Sequence, residues 1–315
     1  MAEFDIYCDS GANIPYEIVT ERNINVIPYS FTVNGEEKSC YGQGENFHEE
    51  AKEFYAMVRD GADIKTSLIS MQKTIDAVTP SLESGKDVLI TYISAGISGS
   101  YNQGKEAAKE LSKRFPERKI RVIDSVNASM GEGLLVIKAC DLRDIGESVD
   151  TCAEWLENNK YNLNSYLTVG DLKYLKKSGR ISATLAIAGT LLNIKPILKA
   201  NGEDVAQIVF HSKERGRKRA LMALAENFTE NVVDPENQTI SICHTDCEED
   251  ALALAEMVKE RGAKDIIIEY YDLCTGSHIG PGTVALFFYG KDRKTGVAPK
   301  KGILDRFRRH AKNPT

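Results

Sequence analysis

The chain has no excess of basic residues, no apolar run long enough to cross a bilayer, and no cysteine spacing that suggests a disulfide framework. Its 40 lysines and arginines are outnumbered by 46 acidic residues, and the net charge of −6 argues against a general nucleic-acid binder, which needs a basic face. The longest apolar stretch, residues 183–194, is too short and too interrupted to span a membrane. The opening Met-Ala-Glu-Phe-Asp-Ile has neither the basic flank nor the apolar run of a signal peptide, so a cytoplasmic protein is expected. The seven cysteines are odd in number and irregularly spaced, against a disulfide scaffold. Cys8, Cys140, Cys152 and Cys243 fall within apolar periodic segments and read as small buried hydrophobes. Cys243-His244-Thr245-Asp246-Cys247 gathers metal-binding residue types. It lacks a second pair at zinc spacing, and a redox motif would set two residues between its cysteines rather than three. Neither a metal nor another cofactor is expected.

What is present is an ordinary globular composition, with 27% charged and 42% hydrophobic residues. The length of 315 residues suffices for two domains. In the first half, strand signals at residues 4–8, 24–33, 88–93 and 120–123 are spaced by helical patterns at 49–59, 71–82 and 101–114. Buried strands alternating with helices predict an α/β domain, a parallel sheet flanked by helices, over residues 1–160. Asn34-Gly35 marks a hairpin-type turn. Residues 161–290 read as an α+β domain with a largely antiparallel sheet, its hairpin at Asn201-Gly202 and a basic helix start at 213–219. Residues 291–315 read as a basic tail.

The most informative segment runs from Asp87 to Tyr101. An apolar strand empties into a loop of small residues, Ser94, Gly96, Ser98, Gly99 and Ser100, and a helix follows. Free N–H groups at a helix start and neutral hydroxyl donors suit an anion. Such a loop has other uses. A nucleophile elbow needs Gly-x-Ser-x-Gly, but Ser100 stands where the last Gly belongs, and a hydrolase using Ser98 and His278 has no acid marked out. Gly131-Glu132-Gly133 lies inside a helical pattern and no P-loop lysine follows a strand, against a nucleotide site. Tight turning alone would also account for the glycines and serines. In parallel sheets ligands bind at the strands' carboxyl ends, and Ser10, Ser98 with Ser100, and Ser125 share that position. Thr66-Ser67, between an acidic loop and a helix, reads by itself as an N-cap pair.

A series of motifs gives these residues a common setting. Asp9-Ser10, Val26-Ile27-Pro28-Tyr29, Lys65-Thr66-Ser67, the segment 93–101 and Val122-Ile123-Asp124-Ser125 with 129–134 occur in that order. The segment 175–182, the run Asn193 to Ile197 and His278-Ile279-Gly280-Pro281-Gly282 follow. The series resembles the DegV family of bacterial fatty-acid-binding proteins, which includes the acyl-carrier subunits of a two-component fatty acid kinase. The resemblance spans about residues 4–290. It implies a long-chain fatty acid lying in an apolar tunnel between the domains, with no chemistry in this chain and phosphoryl transfer belonging to a partner kinase. It further implies that Thr66, Ser98 and His278 meet the ligand carboxylate, that Ser67, Gly99 and Arg180 support them, and that Arg215 faces the kinase or the phosphate. Two alternatives stay open: a lipid or ester hydrolase using Ser98 and His278, and a carrier of another anionic lipid without a kinase. The sequence departs from the family pattern where Leu68-Ile69 replace the usual Gln-Pro and where Ala95 replaces a usual serine.

Each assignment has a plainer reading. His278 beside a Gly-Pro-Gly turn can be structural, and Arg180 can cap the helix that Gly179 ends. Lys213, Arg215, Arg217, Lys218 and Arg219 can be a solvated helix face rather than a docking patch. Residues 302–312 place Ile303, Leu304 and Phe307 on one side of a basic helix, which would suit transient contact with a membrane surface.

Overall fold

The computed structural model describes residues 4–40, 44, 46–181 and 193–299. In the first half the strands are Phe4–Asp9 (β1), Ile24–Ile27 (β2), Tyr29–Val33 (β3), Glu36–Cys40 (β4), Ile64–Ser67 (β5), Asp87–Tyr92 (β6) and Ile120–Asp124 (β7). The helices are Tyr16–Glu21 (α1), Phe47–Arg59 (α2), Met71–Glu83 (α3), Ser100–Arg114 (α4), Met130–Asp144 (α5) and Val149–Asn159 (α6). A parallel sheet of order β2-β1-β6-β7 forms the centre. Val88 to Tyr92 of β6 are all buried, as a strand covered on both faces requires. Helices α3 and α4 pack together against β6, while α5 and α6 pack together and also reach it.

Two expectations change here. The apolar run 24–33 is two strands in two sheets, because Pro28 has no N–H to continue a ladder. β3 instead joins β4 and β5 in a separate antiparallel sheet of order β4-β3-β5, turning at Asn34-Gly35 with φ of 52° and 92°. Lys65-Thr66-Ser67 is therefore strand, and the cap of α3 is Ser70, whose Oγ accepts the Lys73 N–H at 3.2 Å.

The second half contains Leu163–Thr168 (β8), Lys173–Ser178 (α7), Ile194–Ala200 (β9), Ile208–Arg215 (β10), Arg217–Asn231 (α8), Thr239–His244 (β11), Glu248–Lys259 (α9), Asp265–Tyr270 (β12), Leu273–Ile279 (α10) and Val284–Tyr289 (β13). The sheet order is β10-β9-β8-β13-β11-β12, antiparallel except for β11 with β12. Lys213 and Arg215 lie in β10, so the expected basic helix begins only at Arg217. The turn at Asn201-Gly202 is present within a longer loop, closed by the Gln207 N–H on Asn201 Oδ1 at 3.0 Å. Residues 182–192, which include most of the longest apolar run, and residues 302–312 of the tail lie outside the described residues.

β13 is buried throughout, yet its side chains still alternate. Ala285 and Phe287 join the core shared with the first half, while Val284, Leu286 and Phe288 join a second core with Leu224 and Phe228 of α8. Helix α5 explains the shared core, because it contacts β1 and β6 on one side and β8, β11 and β13 on the other. Its first two turns, Met130 to Val136, are accordingly buried all round. A side chain at Gly133 would meet the Ala12 carbonyl at 2.6 Å, so the Gly-x-Gly of this helix serves close packing. Arg293, beyond β13, donates to the carbonyls of Asn201 and Val126 at 2.6 and 2.9 Å and ties the two halves further.

Candidate functional site

Parallel pairing brings the carboxyl ends of β1, β6 and β7 to one edge, and hydrogen bonds stitch their loops together. Ile93 N–H donates to Asp9 Oδ2 at 2.8 Å, Ser94 N–H to the Asn127 carbonyl at 2.8 Å, and Ser125 N–H to the Tyr92 carbonyl at 3.0 Å. Ser94 Oγ donates to the Ala206 carbonyl at 2.7 Å. The serine loop is thereby held against the β9–β10 turn of the other half. A Cβ at Gly96 would stand 2.4 Å from that carbonyl. Gly96→Ala should therefore lower stability by about 1–3 kcal/mol, read as an earlier midpoint in urea unfolding.

Ser98 Oγ lies 2.9 Å from Ser100 Oγ and accepts the Ser100 N–H at 3.3 Å. Ser100 Oγ in turn accepts the Ile69 N–H at 3.1 Å, which fixes the chain just beyond β5. From the other half, α10 carries His278 to the end of β5, where its Nε2 lies 2.9 Å from Thr66 Oγ1. Burial and the adjacent Arg180 hold the His278 imidazole down at about 4. It is neutral at pH 7, with one nitrogen able to donate and the other to accept. Arg180 hydrogen-bonds the Ser178 carbonyl, so it does close the end of α7, where Gly179 turns left-handed at φ 69°. Its guanidinium also lines the cavities that meet at His278.

Three cavities meet there. A pocket of about 240 Å³ is lined by Tyr29, Thr66, Ser67, Ser98, Gly99 and His278 among others. An apolar cavity between the sheets is lined by Ile97, Leu167, Ala200, Ile208 and Phe287, and shares Ile93, Arg180 and His278 with the pocket. A wider cleft of about 580 Å³, open to solvent, shares Thr66, Arg180 and His278 with the pocket and is rimmed by Arg59, Lys65, Lys173 and Lys177. The sequence-derived residues Thr66, Ser67, Ser98, Gly99, Arg180 and His278 thus come together. Arg215 does not join them: it is exposed at the end of β10 and lines none of these cavities.

Polar residues behind the pocket carry more of its design than the motifs indicated. Tyr29 lines the pocket, and its hydroxyl donates to Asp9 Oδ2 at 3.2 Å. Asp9 is fully buried, and burial raises its carboxyl to about 7. Glu132 of α5 is fully buried with neither carboxyl oxygen hydrogen-bonded, and its pKa stands well above the usual range, from burial first and Asp9 second. Asp272, raised by burial to about 6, caps α10 by accepting the Cys274 and Thr275 N–H groups. Only the placement of Asp9 after a strand and Tyr29 after Pro28 hinted at these roles.

Among the described residues Ser98 and His278 are not brought into the pairing a serine hydrolase uses. Ser98 is paired with Ser100, and His278 with Thr66, rather than with each other. Among the described residues the side chains of 243–247 do not gather into a metal-binding group. Cys247 Sγ donates to the Thr283 carbonyl, His244 Nδ1 accepts the Cys247 N–H, and Asp246 pairs with Arg59. Cys40, Asp272 and Cys274 do bring two thiols and a carboxylate oxygen within 4.8 Å of one another. The Asp272 oxygen that Cys40 meets at 3.4 Å is the one already capping α10.

This is an α/β fold with helix α5 packed between two sheets and a hydroxyl-lined pocket beside an apolar cavity. Residues 3–291 match the family model described as "Uncharacterised protein, DegV family", and the chain belongs to that family. It is 36% identical over 295 residues to a DegV domain-containing protein of Clostridium perfringens, covering 93% of this chain and 100% of that one. A Thermus thermophilus DegV family protein described for fatty acid binding superposes with a TM-score of 0.80 at 26% identity, covering 91% of this chain and 99% of that chain. A fatty acid binding DegV family protein from Streptococcus agalactiae gives a TM-score of 0.79 at 26% identity, covering 92% and 100%. Among the described residues no helix is long and apolar enough to cross a membrane.

Proposed function

We propose that this chain binds one long-chain fatty acid between two domains that divide near residue 160, with the carboxylate at Thr66, Ser98 and His278. The observation that carries the reading is the sharing of His278 and Arg180 by the hydroxyl-lined pocket and the apolar cavity. One ligand with a polar head and a long apolar body suits such a pair. Each buried methylene contributes about 0.8 kcal/mol, so affinity comes mainly from the apolar cavity. A buried carboxylate without partners would be expensive. The Thr66 and Ser98 hydroxyls, the neutral His278 imidazole and the Arg180 guanidinium supply donors and counter-charge. The fatty acid binding described for the Thermus thermophilus and Streptococcus agalactiae proteins supports this assignment.

We further infer that the bound carboxylate is offered to a kinase that forms an acyl phosphate. The open cleft beside Thr66 and His278 supports this, because Lys177 lies on its rim with Arg59, Lys65 and Lys173, whose present partners Asp246, Asp63 and Asp171 would give way to phosphate groups. Arg215, exposed on the adjoining sheet edge, would then meet the kinase body. The test is delipidated protein incubated with oleate, a fatty acid kinase and ATP, with hydroxylamine trapping of acyl phosphate. Hydroxamate formation that requires this chain supports the reading. Oleate binding with no hydroxamate leaves a carrier without a kinase.

A further inference from the structure

The hydroxyls that line the pocket are connected backward to a fully buried carboxylate. Asp9 Oδ1 accepts the Gly11 N–H at 2.8 Å, while Oδ2 accepts the Ile93 N–H at 2.8 Å and the Tyr29 hydroxyl at 3.2 Å. Tyr29 and Ser98 line the same pocket, so the Tyr29 hydroxyl, bonded to Asp9 on one side, has the Ser98–Ser100 pair as its neighbours on the other. The order is therefore pocket, Ser98 with Ser100, Tyr29, Asp9. Hydroxyls donate one hydrogen each and can rotate to choose its direction. With Asp9 ionised, the Tyr29 hydrogen points at Asp9, and Tyr29 accepts from the serine pair. That arrangement turns oxygen lone pairs toward the pocket, the wrong polarity for a carboxylate.

We propose that Asp9 is a positioning residue for the ligand head group, setting through Tyr29 the direction in which the Ser98 hydroxyl donates, so that a proton enters the protein with each bound carboxylate. The proton comes from solvent and joins the Asp9 carboxylate. Asp9 then donates to Tyr29 Oη, Tyr29 to the serine pair, and Ser98 to the ligand; the hydrogens of Tyr29 and Ser98 turn about their C–O bonds and none is transferred. The surroundings favour this uptake, because the groups facing Asp9 are acidic or neutral. They are Glu132 on α5, Asp272 at the start of α10, Cys274 on α10, Cys8 beside it on β1 and Tyr92 on β6. Asp124 at the end of β7 faces Glu132 from the far side. Burial already holds Asp9 at about 7. Uptake of a proton makes affinity fall as pH rises above that value, by up to about tenfold per pH unit.

The inference rests on the fatty acid reading, and its test separates the two. Delipidated full-length protein is titrated calorimetrically with laurate near pH 7.5, in buffers of different ionisation enthalpy. Wild type should take up a proton, with a buffer-dependent slope of up to about three-quarters of a proton per laurate, since roughly a quarter of the free protein already carries it at that pH. Asp9→Asn and Tyr29→Phe should bind laurate with a slope near zero and an affinity nearly independent of pH. A purely structural role for these residues would change affinity without changing the proton count. Should Asp9→Asn fail to fold, Tyr29→Phe decides when titrated about one to two pH units higher, where Asp9 is ionised even without the Tyr29 hydrogen bond. Stoichiometric laurate binding by wild type without proton uptake overturns the proposal and leaves the fatty acid reading standing. Undiminished uptake in either variant also overturns it. No laurate binding across the pH range removes the fatty acid reading and this proposal with it.

Discussion

Alanine at both Thr66 and Ser98 is expected to weaken fatty acid binding by at least a hundredfold while the protein stays folded. In the proposed binding mode each hydroxyl donates to the ionised carboxylate, and such a bond is worth about 1.5–3 kcal/mol. Losing two costs on the order of 3–6 kcal/mol if they act independently. Neither hydroxyl supports the core. Thr66 is half-buried at a sheet edge and bonds only to His278, and Ser98 is in a partly exposed loop. The check is a titration of the delipidated double variant with a fluorescent fatty acid, beside its thermal unfolding. A normal unfolding midpoint with unchanged affinity would remove both residues from the site.

Filling the apolar cavity should cost still more for long chains than for short ones. Ala200 lines that cavity and shares the inward face of β9 with Leu198 by strand alternation. Its neighbour Lys199 alternates to the other face. Ala200→Trp should displace the distal part of the acyl chain. If six methylenes lose their place, roughly 5 kcal/mol is forfeited at about 0.8 kcal/mol each, more than a thousandfold in affinity. Palmitate should therefore be lost while decanoate keeps most of its binding. Equal losses for the two acids would mean that the acyl chain runs elsewhere.

The parts of this site that were legible in the sequence are those fixed by local rules. The apolar run of β6 followed by Ser94 to Ser100 announces a strand, a small-residue loop and a helix start, whatever the rest of the chain does. The motif series identified the partners Thr66, His278 and Arg180, which lie in different halves and share no local pattern. Local reasoning misread Thr66-Ser67 as a cap because a polar pair before a helix satisfies that rule equally well. Its strand character comes from pairing with β3, and nothing nearby in the chain encodes it. The break at Pro28 was visible in the residue type, yet the surrounding β-branched residues outweighed it. Asp9 and Glu132 were hardest to foresee. A carboxylate in an apolar segment has no distinctive signature until helix α5 is seen pressed between two sheets. Arg215 and Lys213 were assigned to a helix by charge clustering, whereas backbone pairing with β9 holds both in a strand.

The central claim is that an acyl chain occupies the cavity beneath the hydroxyl pocket. The most direct measurement is mass spectrometry of small molecules extracted from purified, denatured protein. A long-chain fatty acid near one equivalent per chain is expected, sharply reduced in the Ala200→Trp variant. A nucleotide or phosphosugar at that stoichiometry, with no fatty acid, would contradict it.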